Sequence, residues 1–466
     1  MEKQDSFNAA SRLGTAGVGK LLFQFSIPAI TGMLLNALYN VVDRIFVGRG
    51  VDEIALGGLS LVLPLMTLTM AFAMLFGIGA ANMISVKLGE QRKNDAEQSL
   101  NHGFWLLIIS SIILIILEFV FFEQILSLLG ASSESRALDY ARRYYRIILA
   151  GTTFFMISFG LSHCTRAQGF PVISMMGMVI GALINTVLDP IFIFILKWGV
   201  EGAAYATVIS WIFSSAWLLY FSMGRKAVVR LHISPPRFKL AISIAILGFG
   251  SAQFLLQFAM SSVQLLFNYS MGWYGAARLG QNGGDIAISA MNIVGTFTML
   301  ILMPVFGINQ GAQPVLGYNY GAKQFKRVRK AFLGAIGAAT LICVFGFLVV
   351  EIFPNAIVNI FTSEDKASSA ILEWTPWALR VACIMLPLNG FTIVASNMFV
   401  VTGRPRTAIF LSLTRQVFAL IPAIFIFGKL WGLTGIVWAM PVADFIALLA
   451  TGICTLFELK KMSVQA

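Results

Sequence analysis

The chain alternates between long apolar stretches and short polar segments, and this pattern predicts membrane-spanning helices. Most of the stretches reach the roughly 20 residues that a helix needs to cross a bilayer core about 30 Å thick. We predict about twelve spans, and the predicted fold class is therefore an all-α polytopic membrane protein. The predicted limits are 21–48, 54–86, 101–123, 140–163, 170–196, 201–223, 240–273, 285–317, 331–353, 371–398, 405–428 and 433–457.

The second half of the chain repeats the first. The segment GAANMISVKLGE from Gly79 resembles GAQPVLGYNYGA from Gly311. The segment WGVEGAAYA from Trp198 resembles WGLTGIVWA from Trp431. The two pairs have the same separation along the chain to within a single position, and this agreement indicates an internal duplication.

Six spans in each half give the two halves the same orientation in the membrane. We predict an N lobe of residues 1–224, a cytoplasmic basic linker of residues 225–239 and a C lobe of residues 240–466. A pseudo-two-fold axis along the membrane normal should relate the lobes, as in transporters that rock two lobes around a central substrate site. A channel or a membrane enzyme could also be duplicated, so the repeat favours transport without proving it.

Composition and charge support a membrane protein and argue against a nucleic-acid partner. Hydrophobic residues make up 58% of the chain and charged residues 12%, about half the charge of an average soluble protein. The net charge is +12, but the basic residues fall in alternate loops, so these loops and both termini are expected to be cytoplasmic. We expect a monomer in the cell (inner) membrane, with lipid and small organic substrates as partners and no cofactor.

An acidic residue, Asp43, lies late in the first span within LNALYNVVDRIFVG, beside Arg44. An ionisable group inside a span is costly and marks a functional site by default. The best candidate partner is in ALINTVLDPIFIF, where Asn185 and Asp189 share one helix face. Pro190 follows and leaves a backbone carbonyl free one turn earlier. These oxygen atoms suit a small hard cation or a proton.

Span directions place four polar side chains at similar depth in the N lobe. Asp43 and Asp189 lie late in spans that run outward, whereas Tyr144 and Thr207 lie early in spans that run inward. All four therefore fall in the outer half of the lobe. Two simpler interpretations stay open: Asp43 could reach interfacial water, and Asp189 could form a structural hydrogen bond that closes the gap at the proline.

The C lobe differs in its predicted chemistry. The repeat equivalent of Asp189 is Pro422, so the carboxylate is missing there. Most polar residues in the C-lobe spans are neutral, except for Arg415 and Asp444, which the sequence does not pair. The sequence also assigns no role to Arg44.

These features resemble the multidrug and toxic compound extrusion (MATE) family, in its bacterial multidrug-efflux branch. The resemblance rests on Pro28 with YNVVDRIFVG, on NTVLDP in the fifth span and on the duplicated lobes. It implies a secondary active antiporter that exports organic, often cationic and amphipathic compounds in exchange for inward H⁺ or Na⁺. The coupling site that it implies consists of Asp43, Asn185, Asp189 and Thr207, with Tyr144 nearby.

The sequence is compatible with two mechanisms for the coupling ion. A buried carboxylate favours its neutral form, so Asp43 or Asp189 could carry a proton, or the implied site could bind Na⁺ directly. We hypothesise that loading the site bends the first helix near Pro28 and Gly32 and shrinks the drug cavity. The predicted cavity residues between the lobes are Met33, Met66, Met70, Gln253, Met260, Asn268 and Met299, since flexible methionines suit varied apolar ligands. Ordinary helix packing would also explain the methionines.

Two other functions compete with antiport. A lipid-linked precursor flippase has a related two-lobe plan, but it would need a cationic central cavity, whereas the informative charges here are acidic. An integral-membrane enzyme would need a nucleophile–base pair or a metal cluster. The four cysteines and three histidines are scattered and form no such motif. We therefore predict that the chain is not an enzyme.

Overall fold

The computed structural model describes residues 10–51, 53–128, 136–234, 239–280, 282–361 and 369–464, and the described chain is almost entirely helical without a β-strand. The predicted all-α fold class is confirmed. The N-lobe helices are α1 (Val18–Gly50), α2 (Glu53–Gly89), α3 (Lys93–Leu128), α4 (Arg136–Ala167), α5 (Pro171–Pro190), which continues as a π-helix over Ile191–Ile195, and α6 (Gly199–Met223).

The C lobe repeats this plan with more interruptions. Its helices are α7 (Leu240–Leu279), α8 (Gly283–Gly321), α9 (Phe325–Ile352), α10 (Pro354–Phe361), α11 (Ser369–Cys383), α12 (Leu386–Val401), α13 (Pro405–Leu413), a π-helix over Thr414–Leu420, and α14 (Ile421–Val464). The helices reach beyond the predicted spans because hydropathy marks only the apolar part of each helix, as at the polar start of α3.

Two breaks in the C lobe decide how many times the described chain can cross a membrane. Ten helices are long and apolar enough to cross, and α11 with α12, bent by 44°, forms an eleventh candidate span. The segment Pro405–Met462 counts once among the ten, yet its 58 residues would extend about 87 Å as one helix. The segment is broken at Gly432, whose φ of 61° is non-helical, and this break falls between the predicted spans 405–428 and 433–457. By length and composition the described chain thus has ten to eleven candidate spans, close to the number that hydropathy predicts.

The break between α11 and α12 corrects the predicted continuous span 371–398. The helix stops at Cys383 and restarts at Leu386. Pro387 then occupies the first turn of α12, where a missing backbone N–H costs little. Hydropathy could not show this bend, because the residues on both sides of it are apolar.

The lobes contact each other through residues at equivalent positions of the two repeated segments. A Cβ atom added to Gly89 of α2 would collide with the carbonyl oxygen of Tyr318 on α8, and one added to Gly321 would collide with that of Val86. Gly89 and Gly321 occupy equivalent positions of the repeated segments that begin at Gly79 and Gly311, and so do Val86 and Tyr318. A pseudo-two-fold axis therefore passes through the crossing of α2 and α8, where only glycine lets the backbones come this close.

The close contacts between the lobes lie next to the basic loops. One apolar cluster contains residues of both lobes, such as Ile84 and Val315. A second cluster, with Val47 and Val200, contains N-lobe residues only and lies at the opposite end. The lobes are therefore closed together at the end that carries the basic loops.

The described part of the linker packs on the N lobe. The backbone N–H of Val229 donates to Gln168 Oε1 over 3.1 Å, and that of His232 donates to Asn101 Oδ1 over 2.7 Å. Val228 and Val229 are buried. Residues 235–238, which include both linker prolines, lie outside the described chain.

Candidate functional site

Helix α5 positions the first two site residues. Asn185 and Asp189 lie four positions apart on its buried face, and both side chains are almost fully enclosed. Pro190 cannot donate a backbone hydrogen bond, and the helix widens immediately afterwards into the π-helix Ile191–Ile195. Such π-turns often occur at functional sites.

Hydrogen bonds join α5 to α4 and α6. Asn185 Nδ2 lies 3.3 Å from Asp189 Oδ1 and 3.4 Å from Thr207 Oγ1, and it donates to both. The buried Tyr144 hydroxyl of α4 forms a hydrogen bond with the Thr207 side chain. The three helices thus contribute a carboxyl, an amide and two hydroxyls to one small volume.

Helix α1 completes the site with a second carboxyl. Asp43 is half-buried, and its carboxyl lies within hydrogen-bonding range of the Asp189 carboxyl. The structure therefore brings together all five residues predicted for the cation site: Asp43, Tyr144, Asn185, Asp189 and Thr207. The side chain of Arg44 lies outside the described part of the structure.

The site has oxygen atoms to spare for a cation. Asn185 Oδ1 and Asp189 Oδ2 are buried and accept no hydrogen bond from the described protein groups. Among the described residues, no salt bridge neutralises Asp189. Two carboxylates side by side repel each other unless they share a proton or bind a cation. The geometry is therefore suited to taking up H⁺ or a small hard cation such as Na⁺.

The helix predicted to bend is continuous in this structure. Helix α1 runs from Val18 to Gly50 through Pro28. Gly32 allows α1 to pack closely on α5, because a Cβ atom there would lie only 2.6 Å from Met178 Sδ. Bending on ion binding stays a prediction.

The residues predicted to line a substrate cavity lie in different surroundings. Met33 lies at the lobe interface, where Gln310 Nε2 is 3.6 Å from its Sδ atom. Met66 packs on the apolar cluster of the N lobe, and Met70 and Gln253 are half-buried. Met260 and Met299 are exposed. Asn268 accepts a hydrogen bond from Gln264 and lines a groove of about 840 Å³ along α7 whose lining includes none of these methionines.

Sequence reasoning missed a buried arginine at the lobe interface. Arg166 of α4 donates to Gln310 Oε1 of the C lobe over 2.6 Å and to Ser174 Oγ over 3.1 Å. Its side chain is almost fully buried. Arg166 lies near the basic end of its helix, where an arginine is unremarkable in a sequence, so no pattern distinguished it.

The C lobe contains a buried ion pair that the sequence left unpaired. Arg415, on the π-helix before α14, donates to Asp444, and Asn389 Nδ2 lies 3.3 Å from the other carboxylate oxygen. Asp444 is buried. The three residues come from separate helices, and only the tertiary fold brings them together.

The fold and the site together define a class: a polytopic α-helical membrane protein with two repeated lobes and, in one lobe, two adjacent carboxyls of which one is buried and one half-buried. The MatE family model matches residues 28–191 and 253–425, one segment in each lobe. The chain belongs to the MatE family, as the motifs of the first and fifth spans indicated.

Known relatives are similar over almost the whole chain. Multidrug export protein MepA of Staphylococcus aureus (strain MRSA252) is 28% identical over 435 residues, which cover 93% of this chain and 92% of MepA. A solved structure described as the outward-facing conformation of a multidrug resistance MATE family transporter aligns with a TM-score of 0.88 and 25% identity, over 97% of this chain and 98% of that one. Another, described as MATE in the bent conformation, has the same TM-score and identity and covers 98% of each chain.

Proposed function

We propose that this protein is a secondary active antiporter that exports organic, cationic and amphipathic compounds in exchange for inward H⁺ or Na⁺. The observation that carries the proposal is the pair of adjacent carboxyls, Asp43 and Asp189, in a buried pocket with uncommitted oxygen atoms. Membership of the MatE family and similarity to a protein named for multidrug export support the export role.

The coupling site would work by exchanging an ion with the surrounding water. When the site is loaded, a proton or Na⁺ relieves the repulsion between Asp43 and Asp189, with Asn185 and Thr207 as additional oxygen ligands for Na⁺. Each monovalent ion that moves inward gains about 2.3 kcal/mol per 100 mV of inside-negative potential. A tenfold ion gradient adds about 1.4 kcal/mol. For a neutral substrate both contributions are available, and one ion could drive export against a concentration difference of roughly a hundredfold or more. For a monovalent cation the two charge movements cancel, and the tenfold ion gradient alone supports a difference of about tenfold.

Helix α1 offers a direct mechanical link between this site and the lobe interface. It carries Asp43 in its second half, and its first half packs against α8, where added Cβ atoms on Gly307 and Gly311 would press on Ile30 and Ser26. About 20 Å of helix separates Asp43 from Ile30. Ion binding that bends α1 near Pro28 and Gly32 would therefore disturb the interface and favour another lobe arrangement, as coupling requires.

In this proposal, the charges of the pocket and of the loops determine the substrate class and the orientation of the chain in the membrane. An acidic pocket attracts cations, and the methionines near the lobe interface, such as Met33, suit varied apolar groups. The basic loops place both termini and the closed end of the lobes in the cytoplasm. The proposed location is the cell membrane. Because the lobes are closed at the end that carries the basic loops, the space between them would then open toward the outside of the cell.

Transport in liposomes tests the proposal directly. Purified protein is reconstituted, and ethidium movement is followed under an imposed pH gradient or an imposed Na⁺ gradient, one at a time. One of the two gradients should drive ethidium movement, and Asp43→Asn and Asp189→Asn should each abolish it. Asp139→Asn is the matched control, since Asp139 lies on the exposed surface of α4 and pairs with Arg143. Gradient-driven transport at the wild-type rate in both site variants would refute the proposal.

A further inference from the structure

A third carboxyl of the N lobe is buried outside the candidate site. Glu118 lies in the apolar part of α3 with 2% of its surface exposed, while its neighbours Phe119 and Val120 are 68% and 57% exposed. Glu118 therefore points into the lobe from a helix whose next residues face outward. A buried acid in such a segment is costly and calls for a function.

Two hydroxyl groups contact this carboxyl. Tyr145 of α4 donates to Glu118 Oε2 over 2.8 Å, and Thr69 Oγ1 of α2 lies 3.4 Å from Oε1. The ring of Phe122 stacks on Tyr145, with ring centroids 5.4 Å apart and an angle of 6° between the rings. Glu118 thus links α2, α3 and α4 in a closely packed setting.

Among the described residues, no cationic side chain forms an ion pair with Glu118. An arginine on the facing helix, Arg142, instead binds the exposed Glu123, with Nη2 2.8 Å from Oε2. Within the described part of the chain, Tyr145 is the titratable group that contacts Glu118 from α4, and the contact from α2 is the Thr69 hydroxyl.

The contacts fit a neutral acid better than an ionised one. A carboxylate offers about four acceptor positions, but here it meets only two hydroxyls, one of them at long range, and burial of an uncompensated charge is expensive. A protonated Glu118 keeps both contacts: Tyr145 donates to Oε2, and on Oε1 the acid O–H can donate to Thr69 Oγ1 where a carboxylate would accept from the Thr69 hydroxyl.

We propose that Glu118 is a proton-binding site of the N lobe, separate from the Asp43–Asp189 pair, that holds its proton at neutral pH and releases it in alkaline solution. Tyr144 and Tyr145 are consecutive on α4, so Glu118 lies at nearly the same depth as the candidate coupling site. Loss of the proton would leave an uncompensated buried charge between α2, α3 and α4, close to that site. The inference holds for either coupling ion and does not rest on the proposed export function.

Infrared spectroscopy of the protein in lipid nanodiscs tests this assignment. The carbonyl stretch of a protonated carboxyl is separate from that of a carboxylate, and Asp43→Asn/Asp189→Asn removes the other two N-lobe candidates. We expect this double variant to show a protonated-carboxyl band at neutral pH that is lost when Glu118→Gln is added. Adding Glu123→Gln instead, which changes an exposed glutamate of the same helix, should leave the band unchanged.

Two results would overturn the inference: absence of the band in the double variant, or its persistence after Glu118→Gln.

If Glu118→Gln does not fold, the double variant is labelled with ¹³C-glutamate. The band should then shift, because the other buried acids of the described chain, Asp444 and Glu458, pair with arginines. An unshifted band would exclude a glutamate and refute the assignment. Raising the pH should convert the band to its carboxylate form, and a band that persists in strongly alkaline solution would contradict an exchangeable proton.

Discussion

The two lobes share a fold, but a buried acid has opposite surroundings in each of them. In the N lobe, Asp189 lies beside the carboxyl of Asp43, and an oxygen of Asp189 accepts no hydrogen bond from the described protein groups. In the C lobe, Asp444 is paired with Arg415 and receives a hydrogen bond from Asn389. Arginine keeps its charge at every physiological pH, so the C-lobe acid has a permanent cation. Asp189 has no salt bridge among the described residues and, in the proposed mechanism, takes its cation from solution.

The internal repeat shows which C-lobe residues stand at the positions of the N-lobe site residues. When the lobes are aligned by the repeated segments that begin at Trp198 and Trp431, the N-lobe site residues Asn185, Asp189 and Thr207 correspond to Phe418, Pro422 and Met440. Duplication therefore preserved the helices and their packing, while the polar side chains of the site are present in one lobe only. A repeated scaffold does not imply a repeated site.

The largest expected effect separates function from stability in the N lobe. Asp189→Asn should reduce drug efflux to background, because the site can no longer exchange its ion. The same change should leave stability unchanged or raise it, since it removes one of two repelling carboxylates. Efflux from cells and thermal unfolding in detergent measure the two effects, with Asp139→Asn as the control. Wild-type efflux by Asp189→Asn would contradict the functional difference between the lobes.

The C-lobe ion pair should show the reverse behaviour. Arg415→Met leaves Asp444 buried without its cation and should destabilise the protein by about 3–5 kcal/mol. Adding Asp444→Asn should restore most of the loss, because no uncompensated charge is then left, and the double variant should still couple export to an ion gradient. Chemical denaturation measures the first effect and liposome transport the second. Loss of coupling in a stable double variant would show that the C-lobe pair takes part in ion exchange.

The glycines at the lobe crossing test how far the symmetry extends. Gly89→Ala and Gly321→Ala each force a Cβ atom against a backbone carbonyl of the other lobe, and each should cost about 1–3 kcal/mol. Gly337→Ala is the control, because no atom lies within 4 Å of its Cβ position and alanine favours a helix by about 0.5–1 kcal/mol. Clearly unequal losses at Gly89 and Gly321 would show that the two sides of the crossing are not equivalent.

The smallest expected effect concerns a neutral hydrogen bond of the site. Thr207→Val keeps the side-chain shape but removes the hydroxyl that Asn185 contacts over 3.4 Å and that also forms a hydrogen bond with Tyr144. It should cost about 0.5–1.5 kcal/mol of stability and weaken ion coupling only partly. Thr207→Ser, which keeps the hydroxyl, serves as the comparison. Complete loss of transport in Thr207→Val would assign the hydroxyl a larger part than the geometry indicates.

Much of the N lobe could be predicted because its signals are local. Charged residues inside apolar spans are rare, so Asp43 and Asp189 were conspicuous. The alternating direction of the spans was enough to place Tyr144 and Thr207 at the same depth. The repeat offset likewise predicted which helices of the two lobes correspond.

The remaining features depend on tertiary contacts that no short pattern encodes. Arg415 and Asp444 are 29 positions apart, and their pairing depends on how three helices pack. Arg166 lies at a helix end where basic residues are common, although the fold buries it against Gln310. Glu118 carried the same signal as Asp43, since it is an acid within the apolar run 104–122, but only the structure shows that it points inward and that no described cation pairs with it.

The glycine crossing of α2 and α8 has a consequence for the origin of the chain. Its two sides are built from equivalent residues, which is the pattern of an isologous contact between two copies of one six-helix unit. A half-length ancestor could therefore have paired with itself through the same glycines. Fusion of the copies would hold the partners together permanently, and each half could then diverge, so that one half now carries two adjacent carboxyls and the other a carboxylate held by a guanidinium.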